Sequence, residues 1–260
     1  MTVNYESYSN LITLEDAGKT EEALAELRKL ASTSNSPEDH SFVTAGMVRC
    51  LIVLGRIDEA KDCVEKSYAL IEPDNPQYAY IMFADASIED ALGNFGLALN
   101  LLDLILQKYP AVATSPEYES LGVGLQGLRG VFLVEERRFS EARPLLEAAV
   151  SKGYWIDRTL YYLGACCCRL GDLDVGEKYL KEALALKLSP AYALFAHYYL
   201  ATTYLWQGRN AWAKQEYEWC LDHVGHGGLR KDYILNGLVR TSEALGQKDE
   251  ARRYTAMLPS

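Results

Sequence analysis

The sequence has no apolar run approaching the roughly 20 residues that a bilayer-spanning helix requires. Its start, Met1-Thr-Val-Asn-Tyr-Glu-Ser-Tyr-Ser, lacks the basic and apolar regions of a secretory signal. A membrane-embedded or exported protein is therefore not expected, and a cytoplasmic location is. Basic residues are also scarce: 26 Lys and Arg stand against 36 Asp and Glu, leaving a net charge of -10. That field repels phosphate, so nucleic acid and anionic membrane are excluded as expected partners, and basic or neutral ones are favoured. No disulfide framework is legible either. Cys166, Cys167 and Cys168 are consecutive, so on a helix their side chains fan out around the axis. The six cysteines read as reduced thiols packed like small apolar residues.

Signatures of chemistry are equally sparse. Gly122-Val-Gly-Leu-Gln-Gly127 has the letters of a dinucleotide fingerprint, but no strand precedes it, and the fingerprint works only in a tight turn between strand and helix. Gly18-Lys19-Thr20 ends like a phosphate-binding loop, yet Thr13 stands where the earlier glycine is required. Cys220, His223 and His226 offer zinc-ligating side chains at three-residue intervals. That spacing drifts by about 60° around a helix, so no metal site is expected. No local signature places a serine, a histidine and a carboxylate together. The sequence predicts neither an enzyme nor a cofactor.

What is abundant is repetition. Seven times a turn residue is followed five places later by a small one. The segments begin at Gly18, Gly55, Gly93, Arg137, Gly171, Gly208 and Gly246 and end at Ala23, Ala60, Ala98, Ala142, Gly176, Ala213 and Ala251. The periods are 37, 38, 44, 34, 37 and 38 residues, in the range where repetition means a stack of supersecondary units. In the second unit Met47, Val48, Leu51 and Leu54 make one helical stripe before Gly55, and Ile57, Ala60, Val64 and Tyr68 make another after it. Gly55 sits where the first helix must stop, and Asp58 and Glu59 supply negative charge where the next one starts. The small residue falls where paired helices approach closely.

This pattern resembles the tetratricopeptide repeat family. The fifth unit matches as Leu160, Leu163-Gly164, Gly171, Tyr179-Leu180, Ala183 and Pro190; the sixth matches as His197, Leu200-Ala201, Tyr204, Gly208, Ala213, Tyr217 and Cys220. The resemblance runs from about Asn4 to Leu258, with departures at Asp85 and Glu89 in the third unit and Arg137 in the fourth. It implies an all-α helical-repeat solenoid of about seven antiparallel helix pairs in a right-handed superhelix. A single domain spanning residues 1–260 is expected, with no residues left over for another. The long period comes from an insertion around 111–120, followed by Gly122, Gly124, Gly127 and Gly130 in one helix. Two readings are open: a soft hinge near 111–130, or glycines that permit close packing.

The resemblance further implies that the first helix of each unit lines a concave groove. Its inward positions would be Tyr5, Tyr8 and Ile12; Phe42, Ala45 and Arg49; Tyr80, Phe83 and Ser87; Gly124, Gly127 and Val131; Arg158, Tyr161 and Ala165; Phe195, Tyr198 and Thr202; and Tyr233, Asn236 and Arg240. The Lys and Asn residues with which some relatives hold a terminal carboxylate are absent. Asn236 with Arg240, and Arg158 with Arg169, remain as local anion-binding pairs. Tyr and Arg are enriched at binding hot spots, so the expected function is a non-enzymatic scaffold for a protein or peptide segment with apolar anchors and one acidic group. Tyr161 and Tyr198 are expected at its centre, outside the helix–helix contacts, with Phe83 across the groove. Two alternatives remain: a self-associating structural protein, forming a homo-oligomer, and a sensor of a small molecule or signalling peptide.

Overall fold

The computed structural model describes residues 19–33, 36–153, 156–186, 188–226 and 229–259. Tyr5, Tyr8, Ile12 and Gly18 lie outside them. The described residues hold thirteen α-helices and no strand: α1 Thr20–Thr33, α2 Pro37–Val53, α3 Ile57–Tyr68, α4 Tyr78–Ala91, α5 Phe95–Lys108, α6 Glu119–Glu135, α7 Phe139–Ser151, α8 Ile156–Leu170, α9 Leu173–Ala185, α10 Pro190–Trp206, α11 Asn210–Asp222, α12 Lys231–Ala244 and α13 Lys248–Ala256. None is long and apolar enough to cross a membrane. The insertion after α5 forms two short 3-10 turns, Pro110–Ala113 and Pro116–Tyr118.

The turns between paired helices share one backbone solution. Gly55, Gly93, Gly171, Gly208 and Gly246 all adopt φ between 71° and 91°, the left-handed region that costs glycine little. The residue after each glycine donates its N–H to the carbonyl five residues back, as in Arg56 to Leu51 at 2.8 Å and Arg209 to Tyr204 at 2.8 Å. Arg137 makes the same turn at φ 61°, and Arg138 N–H bonds to the Leu133 carbonyl at 2.7 Å. The missing glycine therefore changes the cost of the turn and not its path. At the other end of two first helices, proline fills the first position and serine caps it: Ser36 Oγ accepts from the Asp39 N–H at 3.1 Å, and Ser189 Oγ from the Tyr192 N–H at 3.4 Å.

The small residues after the turns lie where the helices meet. Ala23, Ala60, Ala98, Ala142 and Ala213 are completely buried. At Gly176 a Cβ would lie 2.3 Å from Cys168 Sγ, and at Gly164 it would lie 2.7 Å from Leu180 Cγ, so α8 and α9 approach more closely than alanine permits. Two of the α6 glycines also serve packing: a Cβ on Gly122 would meet the Val112 carbonyl at 2.8 Å, and one on Gly130 would meet the Leu146 side chain at 2.9 Å. Gly122–Gly127 lies wholly within α6, so the strand-to-helix turn of a dinucleotide site is absent there.

The described residues fall into two compact units, one up to Leu125 and one from Gln126 onward, with the boundary inside α6. In the first, α2 packs on α3 and α4, and α4 on α5; Phe42, Tyr80 and Tyr118 interlock. The unusual acids of the third repeat are satisfied. Asp85 accepts from the Tyr68 hydroxyl at 3.0 Å, while Glu89 accepts from Asn94 Nδ2 at 2.7 Å. In the second unit each helix pair packs on the next, and polar links join successive repeats. Gln207 Nε2 donates to Asp174 at 2.8 Å, Lys214 Nζ to Gln247 at 2.9 Å, and the Tyr254 hydroxyl to Glu218 at 3.0 Å; Arg143 also pairs with Asp172.

Candidate partner-binding surface

In the second unit the first helices of three successive repeats are α8, α10 and α12, and α8 packs on α10 as α10 packs on α12. Residues three, four, seven or eight apart share one face of a helix. This aligns Arg158, Tyr161, Ala165 and Arg169 on α8; Phe195, Tyr198, Thr202 and Trp206 on α10; and Tyr233, Asn236 and Arg240 on α12.

Burial separates these residues into supports and surface. Tyr161 is only 6% exposed, with ring centroids 4.8 Å from Tyr162, 5.4 Å from Tyr192 and 6.2 Å from Tyr199. It fills the space between α8 and α10, which corrects the expectation that it stands clear of helix–helix contacts. The reason is steric: Tyr192 and Tyr199 on α10, the first helix of the next repeat, close over its ring. Arg158 is drawn into the same cluster, its guanidinium 5.6 Å from both the Tyr162 and Tyr192 rings. Tyr162 completes it by donating to Glu135 Oε1 at 2.9 Å. Burial holds the phenols of Tyr161 and Tyr162 far above the usual range, so both remain neutral donors.

Tyr198 and Phe195 are half-buried, while Arg169, Trp206, Tyr233, Asn236 and Arg240 are exposed. Trp206 is 46% and Tyr233 49% accessible, large values for rings of this size. Tyr198 rests on Tyr217 of α11 at 5.9 Å, and Thr202 Oγ1 shares a hydrogen bond of 3.1 Å with the Tyr217 hydroxyl. Gly237 makes this arrangement possible, because a Cβ there would lie 2.3 Å from Tyr217 Cζ. The absent side chain lets α12 seat against that ring. Burial raises the Tyr198 phenol most, Thr202 opposes it, Tyr233 raises it further and Arg169 lowers it. Tyr217 is pushed up to about 12, chiefly by burial, with Thr202 and Arg240 acting downward. Residues from α8, α10 and α12 thus act on one pair of tyrosines.

Trp206 lies outside the sequence-derived set, although Arg169 at the equivalent place on α8 is in it; its signal is its place eight residues after Tyr198. Also outside that set, Arg209 lies 4.3 Å from the Tyr204 ring and 3.9 Å from the half-exposed Trp212, and pairs with Glu177. In the first unit Tyr80 is buried, whereas Phe83 and Arg49 are half-buried. Phe83 and Arg49 belong to that unit's own first-helix faces.

Of the zinc-type candidates Cys220, His223 and His226, the side chain of His226 lies outside the described residues and the other two are engaged elsewhere. Cys220 is fully buried with Sγ 3.7 Å from the Leu194 carbonyl, while His223 Nδ1 is 2.8 Å from the Trp219 carbonyl and its ring stacks on Trp219 at 3.9 Å. Among the described residues no group of three or more His, Cys, Asp or Glu could hold an ion. Cys166, Cys167 and Cys168 are buried, and burial raises the Cys166 thiol to about 12 and the Cys168 thiol to about 11.

No family model matches the sequence, and no curated protein matches it. Solved structures do resemble it. PilF of Pseudomonas aeruginosa superposes with a TM-score of 0.58 at 18% identity, covering 86% of this chain and 92% of that one. PilW, a widely conserved type IV pilus biogenesis factor, gives 0.56 at 19% identity over 84% and 91%. The APC/C hetero-tetramer Cut9-Hcn1 gives 0.58 at 13% identity over 96% of this chain and 45% of that one. At such identities the likeness is one of fold, and it agrees with the turn geometry, the buried small residues and the paired helices described above. The fold is that of tetratricopeptide-like repeats, all-α with antiparallel helix pairs in series.

Proposed function

We propose that this protein is a binding scaffold, holding a segment of another protein on the first-helix face of its second unit. The observation that carries the reading is the aromatic row of half-buried Tyr198 and exposed Trp206 and Tyr233 on neighbouring first helices. Each ring offers a large contact area with a polar tip, and each stands on a rigid helix, so little ordering is required on binding. PilF, PilW and Cut9-Hcn1 share the fold, and a protein partner suits it better than a small substrate. Tyr161 and Arg158 have a supporting role, holding α8 and α10 in register beneath the surface.

The test is retention of partners from a lysate by the intact chain and by a Tyr198→Ala, Trp206→Ala, Tyr233→Ala variant of unchanged melting temperature. Proteins held by the wild type and lost by the variant are expected; an unchanged set would refute the reading. One observation favours the rival reading of self-association: Leu97 and Leu104 lie seven residues apart on α5 and are 57% and 45% exposed. Sedimentation at several concentrations decides it, because a chain that stays monomeric removes the rival.

A further inference from the structure

Carboxylates outnumber cations 36 to 26 in this chain, so a cationic side chain readily finds a partner. Arg28, Arg56, Arg138, Arg143, Arg209 and Arg230 all do, pairing with Glu59, Glu21, Glu141, Glu147, Glu177 and Asp232. Arg169 and Arg240 are exposed and have no carboxylate partner among the described residues. Both stand on the first-helix face, at the end of α8 and in the middle of α12, on either side of the helix that carries Tyr198 and Trp206.

We infer that the segment held on this face carries acidic side chains on either side of an aromatic or aliphatic one, one acid bound by Arg169, another by Arg240, and the apolar group by Tyr198 and Trp206. The inference rests on the binding function proposed above and specifies its ligand. Two guanidinium groups acting on adjoining tyrosines leave a local positive potential in an acidic protein, and an incoming carboxylate is complementary to it. The neighbouring acids form no ion pair with either arginine. Glu135 is engaged by the Tyr162 hydroxyl and Glu216 by His197, while Glu243, one turn beyond Arg240, makes no ion pair with it. Arg158, expected to partner Arg169 in anion binding, is half-buried against Tyr162 and Tyr192, whereas Arg169, though its guanidinium lies 5.6 Å from the Phe139 ring, is exposed, so the two exposed arginines of this face lie on different repeats. A ligand spanning three repeats is thereby required, which a peptide satisfies and a single small anion does not. Thr202 lies between them on α10, a small side chain at the centre of the face.

The experiment is selection of a displayed random peptide library on the intact chain, followed by fluorescence anisotropy of the enriched peptides against wild type, Arg169→Glu, Arg240→Glu and Trp206→Ala, each with its melting temperature measured. Enriched peptides that pair Asp or Glu with an apolar residue, and bind about tenfold or more weakly to either arginine variant, are the expected result. Peptides that lack acids and bind the arginine variants normally, yet are lost on Trp206→Ala, would overturn this inference and leave the binding function standing. Peptides indifferent to all three substitutions, or no enrichment, would overturn both. A replacement that lowers the melting temperature is exchanged for Arg169→Gln or Arg240→Gln, which keep the stem and remove the charge.

Discussion

Replacing Gly176 by alanine isolates the close approach of α8 and α9. An alanine Cβ would lie 2.3 Å from Cys168 Sγ, 2.9 Å from the Cys168 backbone nitrogen and 2.9 Å from the Gly164 carbonyl oxygen. Optimal non-bonded separations are roughly 3.5–4.0 Å, so the sulfur would need to retreat by more than an ångström. It cannot do so freely, because the hydroxyl of fully buried Thr203 donates to it at 3.0 Å. The two backbone contacts cannot rotate away at all, and the helices must separate. Overpacking of this kind costs about 1–3 kcal/mol, while exchanging glycine for alanine in a helix returns about 0.5–1 kcal/mol. A net loss of about 1–2 kcal/mol is expected, read as a lower urea midpoint by far-UV circular dichroism. Gly96 is the control: it lies early in α5, and nothing stands within 4 Å of its added Cβ, so Gly96→Ala should leave the midpoint unchanged or raise it. A Gly176→Ala protein at least as stable as wild type would refute the argument.

Tyr161→Ala should lose roughly 3–5 kcal/mol, as for other buried aromatics, whereas Tyr233→Ala should stay within about 0.5 kcal/mol of wild type; thermal melts of the two proteins compare them directly. Arg137→Gly relieves a left-handed backbone worth about 1–2 kcal/mol but restores about 0.4–1 kcal/mol of unfolded-chain entropy. A neutral to slightly raised melting temperature is expected for it, in contrast to a lowered one for Gly208→Ala. The buried thiols prefer the neutral form: Cys168 stands at about 11 and Cys166 at about 12 against an ordinary 9.0. Alkylation at pH 8 should accordingly be slow in the native protein and fast in denaturant. Their contribution to stability is complete below the unfolded value of 9.0 and declines as pH rises through 11 and 12, so denaturation midpoints should fall over that interval.

The repeat was legible because its determinants are local. A left-handed turn and a small residue five places later are decided by backbone sterics and by one helix–helix distance, so Gly55 with Ala60 or Gly208 with Ala213 announces itself. Arg137 shows how far that legibility goes, since the turn persists where its usual residue does not, and only the period and Ala142 reveal it. The surface was less legible. Position along a first helix places Tyr161 and Tyr198 alike, yet Tyr161 is covered and Tyr198 half open. The difference comes from residues on another helix: Tyr192 and Tyr199 roof the first, whereas Gly237 and exposed Asn236 leave the second with less cover. Arg158 illustrates the same limit, since its charge was readable but its stacking between two tyrosines was not. Trp206 shares its stripe with Tyr198 by simple helical spacing and could have been found by following each stripe one turn further.

The links between successive repeats reach 33 residues from Gln207 to Asp174, 33 from Lys214 to Gln247 and 36 from Tyr254 to Glu218, each about one period. Repeats of the second unit thus meet their neighbours through the same few kinds of contact, and those contacts depend on adjacency rather than on position in the chain. Such a protein can be edited in modules. Excising 37 residues from one turn glycine to the next would remove a floor of the stack and join two surfaces already built to receive that kind of neighbour. Excising half that length would leave an unmatched helix with its apolar stripe in water. Natural variation among chains of this design should therefore proceed by whole repeats, and the array could lengthen its binding face by duplication without redesigning a single helix contact.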